Sequence, residues 1–292
     1  MQTDPDAAVT CLANVSANTL QNLPTVARYV VQDGKYVNTP ELIVTSRNPN
    51  TAYVPILFGI NENDGASFST YPRPPVANET AGIMAALGVT KDWAEQIIAS
   101  GLFPYYDTNN ITLDSFNVSQ RVATDNQFRC IDQASAYAGG VTGTFPAAYY
   151  YQSDRTDGGY DPNNLGGPPV TPGYPFGNPN LPYFRVHGAD QVLQFGWFYP
   201  LRDADDLYNA QLYLSYFASF MRTGNPNPPA AYLQVRGYDK PLQAIEETGP
   251  WEKISSVNGP IRLLDWPAVA SDFIDKPQCA WLNYSINFFL QQ

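Results

Sequence analysis

The run VPILFGI at residues 54–60 is apolar almost throughout and closes on the polar turn NENDG. A continuous apolar segment of this length, bounded by turn formers, predicts a buried parallel strand ending in a loop. Helical periodicity follows over about 79–87, 90–100 and 118–138, the last stopped at Gly139-Gly140. AAYYYQ at 147–152 predicts a second strand, rich in aromatics. Residues 153–182 are dense in Pro, Gly and Asn and hold neither a helix nor a central strand, so they form a surface loop or a pocket wall. A helix over about 205–222 is expected to turn Leu207, Ala210, Leu214, Phe217 and Met221 to one face, with Gly224 and Pro226 stopping it. The C-terminal AWLNYSINFFL predicts a last short helix. Strands separated by helices point to an α/β sheet.

Composition sharpens this picture. With 44% hydrophobic residues and 14% aromatics, the 292-residue chain has ample material for a core and reads as one domain over 1–292. A net charge of −11 disfavours nucleic acid and anionic membrane surfaces as partners. No apolar run reaches the roughly 18 residues that a membrane span needs, so stable membrane insertion is not expected. Three cysteines without CxxC spacing and a single histidine make a metal site unexpected, and no organic cofactor is implied. Glycosylation sequons at Asn14, Asn78, Asn110, Asn117 and Asn283 favour an extracellular, secreted protein. The N-terminus MQTDPDAAVTCLANV has neither the basic nor the apolar region of a signal peptide, so the true beginning of the chain is expected to lie upstream.

In open α/β sheets reactive groups collect where strands end and loops begin. The loop after VPILFGI carries Glu62 and Asp64; the segment some thirty residues after AAYYYQ carries His187, the only histidine. A carboxylate that orients an imidazole is half of a nucleophile–base–orienter constellation. The other half is not evident: no G-x-S-x-G occurs, Gly65-Ala66-Ser67-Phe68-Ser69 lacks the second glycine, and there is no HGGG-type oxyanion loop. Taken alone, NENDG also fits a solvated turn, and a lone histidine also fits a satisfied polar residue of a core.

A set of motifs in order resembles the type-B carboxylesterases, the family of cholinesterases and secreted fungal lipases. Gly59-Ile60-Asn61-Glu62-Asn63-Asp64-Gly65 resembles the G-x-N-x-x-E-G acid loop, and Val186-His187-Gly188-Ala189-Asp190 with Phe195-Gly196 resembles the H-G-x-E/D histidine loop with its following F-G. Cys11-Leu12 with Ser16 and Leu20 looks like the second half of an upstream disulfide segment. Thr223-Gly224-Asn225-Pro226-Asn227-Pro228 is similar to the T-G-N-P-N-P after the post-histidine helix, and Cys279-Ala280-Trp281-Leu282 to the terminal C-x-F-W with Trp one place early.

The resemblance covers nearly all of this chain but only the C-terminal half of a family member, and implies the C-terminal portion of an α/β-hydrolase fold with an incomplete sheet. It implies Asp64 as triad acid, His187 as general base, Asp190 as a supporting carboxylate and a Cys130–Cys279 disulfide. Asp64 stands where the family usually has glutamate; Glu62, two positions out of register, is the alternative. The implied substrate is a small-molecule or lipid ester, with serine and oxyanion glycines in an N-terminal half preceding residue 1. A chain without them is expected to be inactive alone, and to expose a strand edge prone to aggregation. Cholinesterase-like domains also serve as non-catalytic adhesion modules, which is the alternative function.

Overall fold

The computed structural model describes residues 4–23, 32–47, 49, 52–73, 75–155, 170–181, 183–196 and 200–291. The chain forms two compact units, Met1–Leu42 and Ile43–Gln292. The first holds α1 (Pro5–Ala13) and α2 (Ala17–Gln21), each begun by a side-chain cap: Asp4 accepts from the Asp6 amide and Ser16 from the Thr19 amide. Cys11 on α1 is a free, exposed thiol.

The second unit is built on a four-stranded sheet in the order β1 (Ile56–Asn61), β2 (Ala148–Ser153), β3 (Ile261–Leu264), β4 (Val269–Ser271). The first three are parallel and β4 is antiparallel to β3. Between β1 and β2 run α3 (Glu79–Leu87), α4 (Lys91–Ser100), α5 (Ile111–Thr124) and α6 (Cys130–Val141). Between β2 and β3 run α7 (Gln191–Gln194), α8 (Ala204–Thr223), α9 (Ala230–Val235) and α10 (Asp239–Thr248), and α11 (Lys276–Trp281) follows β4. Among the described residues no helix is long and apolar enough to cross a membrane.

β2 explains the layering. All six of its residues are buried, and they alternate between two cores. Ala148 and Tyr150 pack with Ile60, Ile261 and the α6 residues Ala136–Ala138 on one face. Tyr149 and Tyr151 pack with Leu264, Trp251 and the α8 residues Tyr213 and Tyr216 on the other. The result is an α/β fold with helices on both sides of a mixed sheet.

Several expectations change in detail. β1 is parallel as expected, but among the described residues it is an edge strand, and only its last two residues are buried. The helix expected over 118–138 starts earlier, at the Asn110 cap, and passes through a π turn at Asp125–Arg129. It also carries the Gly139-Gly140 pair inside α6, where Phe145 packs against Gly139. α8 matches its predicted range but is rotated about its axis: Leu207 and Met221 are exposed, while Asn209, Tyr213 and Tyr216 are buried. Tyrosine can face inward here because its hydroxyl finds a partner, as Tyr213 does on Ser153 Oγ at 2.6 Å. The C-terminal helix is split into α11 and a short 3-10 turn at Phe288–Leu290. Of the Pro/Gly/Asn-rich stretch, residues 156–169 and 182 lie outside the described residues; the rest from 170 to 181 is a series of turns.

Candidate functional site

β1 delivers the acid loop. Its parallel pairing aims the Ile56 amide at Ala147 O and the Glu62 amide at Ser153 O, so the amides of alternate residues, Asn61 among them, point away from β2. The Asn61 amide instead donates to Asp64 Oδ2 at 3.1 Å, and its side-chain Nδ2 to Asp64 Oδ1 at 3.3 Å. Residues Asp64–Phe68 then wind into a 3-10 turn anchored on α5 by the Gly65 amide, which donates to Thr124 Oγ1 at 2.9 Å. Asp64 is thereby sealed to 3% exposure. Burial raises its pKa, against the opposing pull of the Asn61 amide and of a charge on His187.

The histidine loop is tied to the acid loop through backbone. The Asn63 amide donates to Arg185 O and the Arg185 amide to Asn63 Oδ1, both at 3.0 Å. The Ala189 amide then donates to Val186 O at 3.0 Å across a tight turn. Gly188 has φ +79° at the third position of that turn, the conformation a type II turn reserves for glycine. His187 is at the second position, pushed out over the acid loop.

The result is a pair. His187 Nδ1 lies 3.3 Å from Asp64 Oδ1, while 52% of the imidazole side chain stays exposed. Phe68 meets the ring edge-on at 5.4 Å and Phe128 tilts against it at 5.1 Å, so apolar walls fix its plane. Phe128 and Arg129 come from the π turn, and Arg129 Nη2 holds the acid loop by donating to Glu62 O at 3.0 Å. Local widenings of this kind re-aim side chains and are common at functional sites. Among the described residues no hydroxyl or thiol is hydrogen-bonded to His187.

Glu62 faces elsewhere. Its carboxylate is 3.4 Å from Arg185 Nη1 and is half-exposed, so of the two acids considered only Asp64 lies against the imidazole. Asp190 is buried and joined to the acid through Asn61, whose Nδ2 also donates to Asp190 Oδ1 at 3.1 Å. Tyr151 OH donates to Asp190 Oδ2 at 2.7 Å, and Gln194 Nε2 bonds both Asp190 and Tyr151 OH. The Tyr151 ring lies flat against β1 because Gly59 opposes it; a Cβ at Gly59 would come within 1.9 Å of that ring. Asn61 and Asn63 entered the sequence analysis only as members of the acid-loop motif, without a role, and Tyr151, Gln194 and Arg185 were not singled out. Asn61 carries two local signals, the fixed Asn of the acid-loop motif and a polar residue closing an apolar strand.

The expected cysteine pair is bonded: Cys130 and Cys279 form a disulfide between the first turn of α6 and α11. Of the sequons, Asn14, Asn78, Asn110 and Asn283 are exposed, whereas Asn117 is half-buried on α5. Among the described residues no cluster of His, Cys, Asp and Glu is arranged to hold a metal. No protein-family model matches this chain, and no curated protein matches it.

Proposed function

We propose that this chain carries the acid–base half of a serine-type carboxylic-ester hydrolase, with His187 as general base and Asp64 as the carboxylate that orients it. The observation that carries the proposal is the buried Asp64 set 3.3 Å from Nδ1 of a half-exposed imidazole. A carboxylate there favours the tautomer protonated on Nδ1, which leaves Nε2 free to take a proton from a hydroxyl, and it stabilises the imidazolium that results. The acyl-enzyme formed by that hydroxyl is then hydrolysed by water activated on the same nitrogen.

Asp190 is a positioning residue in this scheme, acting through Asn61. The nucleophile and the oxyanion donors are assigned to an N-terminal half of a longer protein, as the carboxylesterase resemblance implies. The open side of β1 supports that assignment: the outward amides of Leu57 and Gly59 have no strand partner among the described residues. The pairing of both acid and histidine favours an enzymatic ancestry over the adhesion alternative, which requires neither. The substrate class is a small-molecule or lipid ester; no metal or cofactor enters the scheme.

Extracellular localisation belongs to the same proposal. A secreted chain is expected to carry glycans at Asn14, Asn78, Asn110 and Asn283 and not at the half-buried Asn117.

Hydrolysis of a p-nitrophenyl ester, with covalent labelling by a fluorophosphonate, tests the mechanism. The 292-residue chain alone is expected to neither turn over nor label. A longer natural protein containing it is expected to label on a serine outside residues 1–292. It should lose turnover on His187→Ala and Asp64→Asn, and keep it on Glu62→Gln. Turnover in that protein indifferent to His187→Ala would sink the proposal.

A further inference from the structure

At a helix N-cap an aspartate keeps extended backbone and turns its carboxylate onto the amides of the first turn. Asp275, at the N-cap of α11, does neither: its side chain makes no cap bond and its φ is +54°, in the left-handed region. Such backbone persists where its surroundings over-determine it, and it gathers at functional positions. The surroundings here come from α6. Gln133 clamps the preceding residue, donating through Nε2 to Ile274 O and accepting from the Ile274 amide at Oε1, both at 2.9 Å. Cys130 is bonded to Cys279, whose amide donates to Asp275 O at 2.8 Å. These tethers dock α11 without the Asp275 carboxylate, which is left for another partner.

That partner is Arg129, in the π turn and 3% exposed. Its Nη1 donates to Asp275 Oδ2 at 3.0 Å and to Asp125 of its own helix. Its Nη2 donates to Glu62 O at 3.0 Å and to Gln152 Oε1 at 3.2 Å. Glu62 lies between Asn61, which bonds Asp64, and Asn63, which clamps the histidine loop at Arg185. We propose that Asp275 is a positioning residue for the Asp64–His187 pair, acting through Arg129 on the Glu62 carbonyl. The proposal rests on the acid–base reading of that pair and adds the segment after β4 to its support. The guanidinium stays charged, so it goes where its carboxylates hold it. Without the charge of Asp275, Asp125 is its one ion-pair partner among the described residues and draws it back along its own helix. Glu62 O then loses its donor, and the acid loop its hold beneath the imidazole.

Asp275→Asn removes the charge and keeps a residue that accepts left-handed backbone. In the 292-residue chain the readout is the ¹⁵N spectrum of His187, the only imidazole. Asp275→Asn is expected to move its tautomer population toward the Nε2–H form, in the direction expected for Asp64→Asn. Arg121→Met removes the other cation at Asp275, 3.8 Å from Oδ1, and leaves the Arg129 contact in place. It is expected to leave the tautomer as it was. Asp275→Gly removes the charge with no demand on the backbone and is read where the asparagine variant does not fold. In a longer natural protein that hydrolyses an ester through His187, Asp275→Asn is expected to lower kcat about ten- to a hundredfold with KM unchanged. An unshifted tautomer in the folded variant overturns the proposal, as does an equal shift in Arg121→Met, loss of fold in both Asp275 variants, or an unchanged kcat. Turnover that survives His187→Ala sinks the ester-hydrolase reading instead; the tautomer still decides whether Asp275 sets the geometry of the pair.

Discussion

Asn63 and Arg185, 122 residues apart, exchange two hydrogen bonds: the Asn63 amide donates to Arg185 O and the Arg185 amide to Asn63 Oδ1, each at 3.0 Å. This reciprocal clamp sets the height of the histidine loop over the acid loop, two residues before His187. Asn63→Ala leaves the Arg185 amide without its acceptor and is expected to cost about 1–3 kcal/mol. Asn63→Asp keeps an acceptor oxygen and is expected to recover most of that. Denaturant midpoints of the two variants check the claim; equal losses would show that the side-chain oxygen is not what matters.

Because His187 is the only histidine, its imidazole nitrogens can be followed by ¹⁵N NMR without assignment of other rings. With Asp64 3.3 Å from Nδ1, the neutral ring is expected to carry its proton on Nδ1. Asp64→Asn is expected to shift the population toward the Nε2–H form. Glu62→Gln should leave it unchanged, since Glu62 faces Arg185. A tautomer change in the second variant and not the first would reassign the acid.

Tyr151 reaches Asp190 only because Gly59 offers no side chain beneath its ring. Gly59→Ala is expected to displace the ring and break the Tyr151–Asp190 bond, costing about 1–3 kcal/mol as overpacking in a core. Tyr151→Phe removes the same bond without the steric clash. If the two are additive in a double mutant, the displacement does not act through Asp190; the expected result is a double mutant no worse than Gly59→Ala by more than about 0.5 kcal/mol.

Stability is expected to fall as pH rises from about 4 to 8. Burial, and after it the charge of Asp64, pushes the Asp132 carboxyl up to about 7. Burial first of all, partly offset by Arg129, puts Asp125 at about 6, and burial puts Asp154 at about 7. An unfolded aspartate titrates near 3.9, so between these values the folded state holds protons that the unfolded state has released. The contribution is therefore full below the unfolded pKa and is lost as pH climbs through the folded one. Asp132→Asn is expected to flatten this slope and to gain about 1–2 kcal/mol at pH 8, a figure already reduced for solvent screening. Denaturant midpoints at pH 5, 6.5 and 8 read it directly, and an unchanged slope would refute it.

The Cys130–Cys279 bond spans 149 positions and fastens α6 to α11 across the apolar cluster that also holds Ile83, Ile97 and Val122. Chain-entropy reasoning assigns such a loop roughly 5 kcal/mol, and natural disulfides typically deliver about 2–5 kcal/mol. Replacing both cysteines by alanine is expected to lower stability by that amount, and reducing agent should then have no further effect. A double variant as stable as the oxidised chain would place the stabilisation elsewhere.

The sequence by itself determined the local pieces. The two main strands follow from unbroken apolar runs. α3 and α4 follow from caps close in sequence, Asn78 and Thr90 at their starts and left-handed Gly88 and Gly101 at their ends. The candidacy of Asp64 and His187 came from motif spacing, and His187-Gly188 is a turn whose backbone demand is written in its own residues. Tertiary structure decided what depends on side-chain direction and on distant partners. It turned Asp64 toward the imidazole and Glu62 toward Arg185. It rotated α8 so that tyrosines face inward, and placed β3 and β4, which no local pattern marked. It also joined Asn61, Tyr151 and Asp190 from three separate segments. The reason is physical: apolar periodicity and caps are short-range and are legible within a few residues. A buried polar group is stable only beside a specific partner, and here those partners arrive from 39 to 129 residues away.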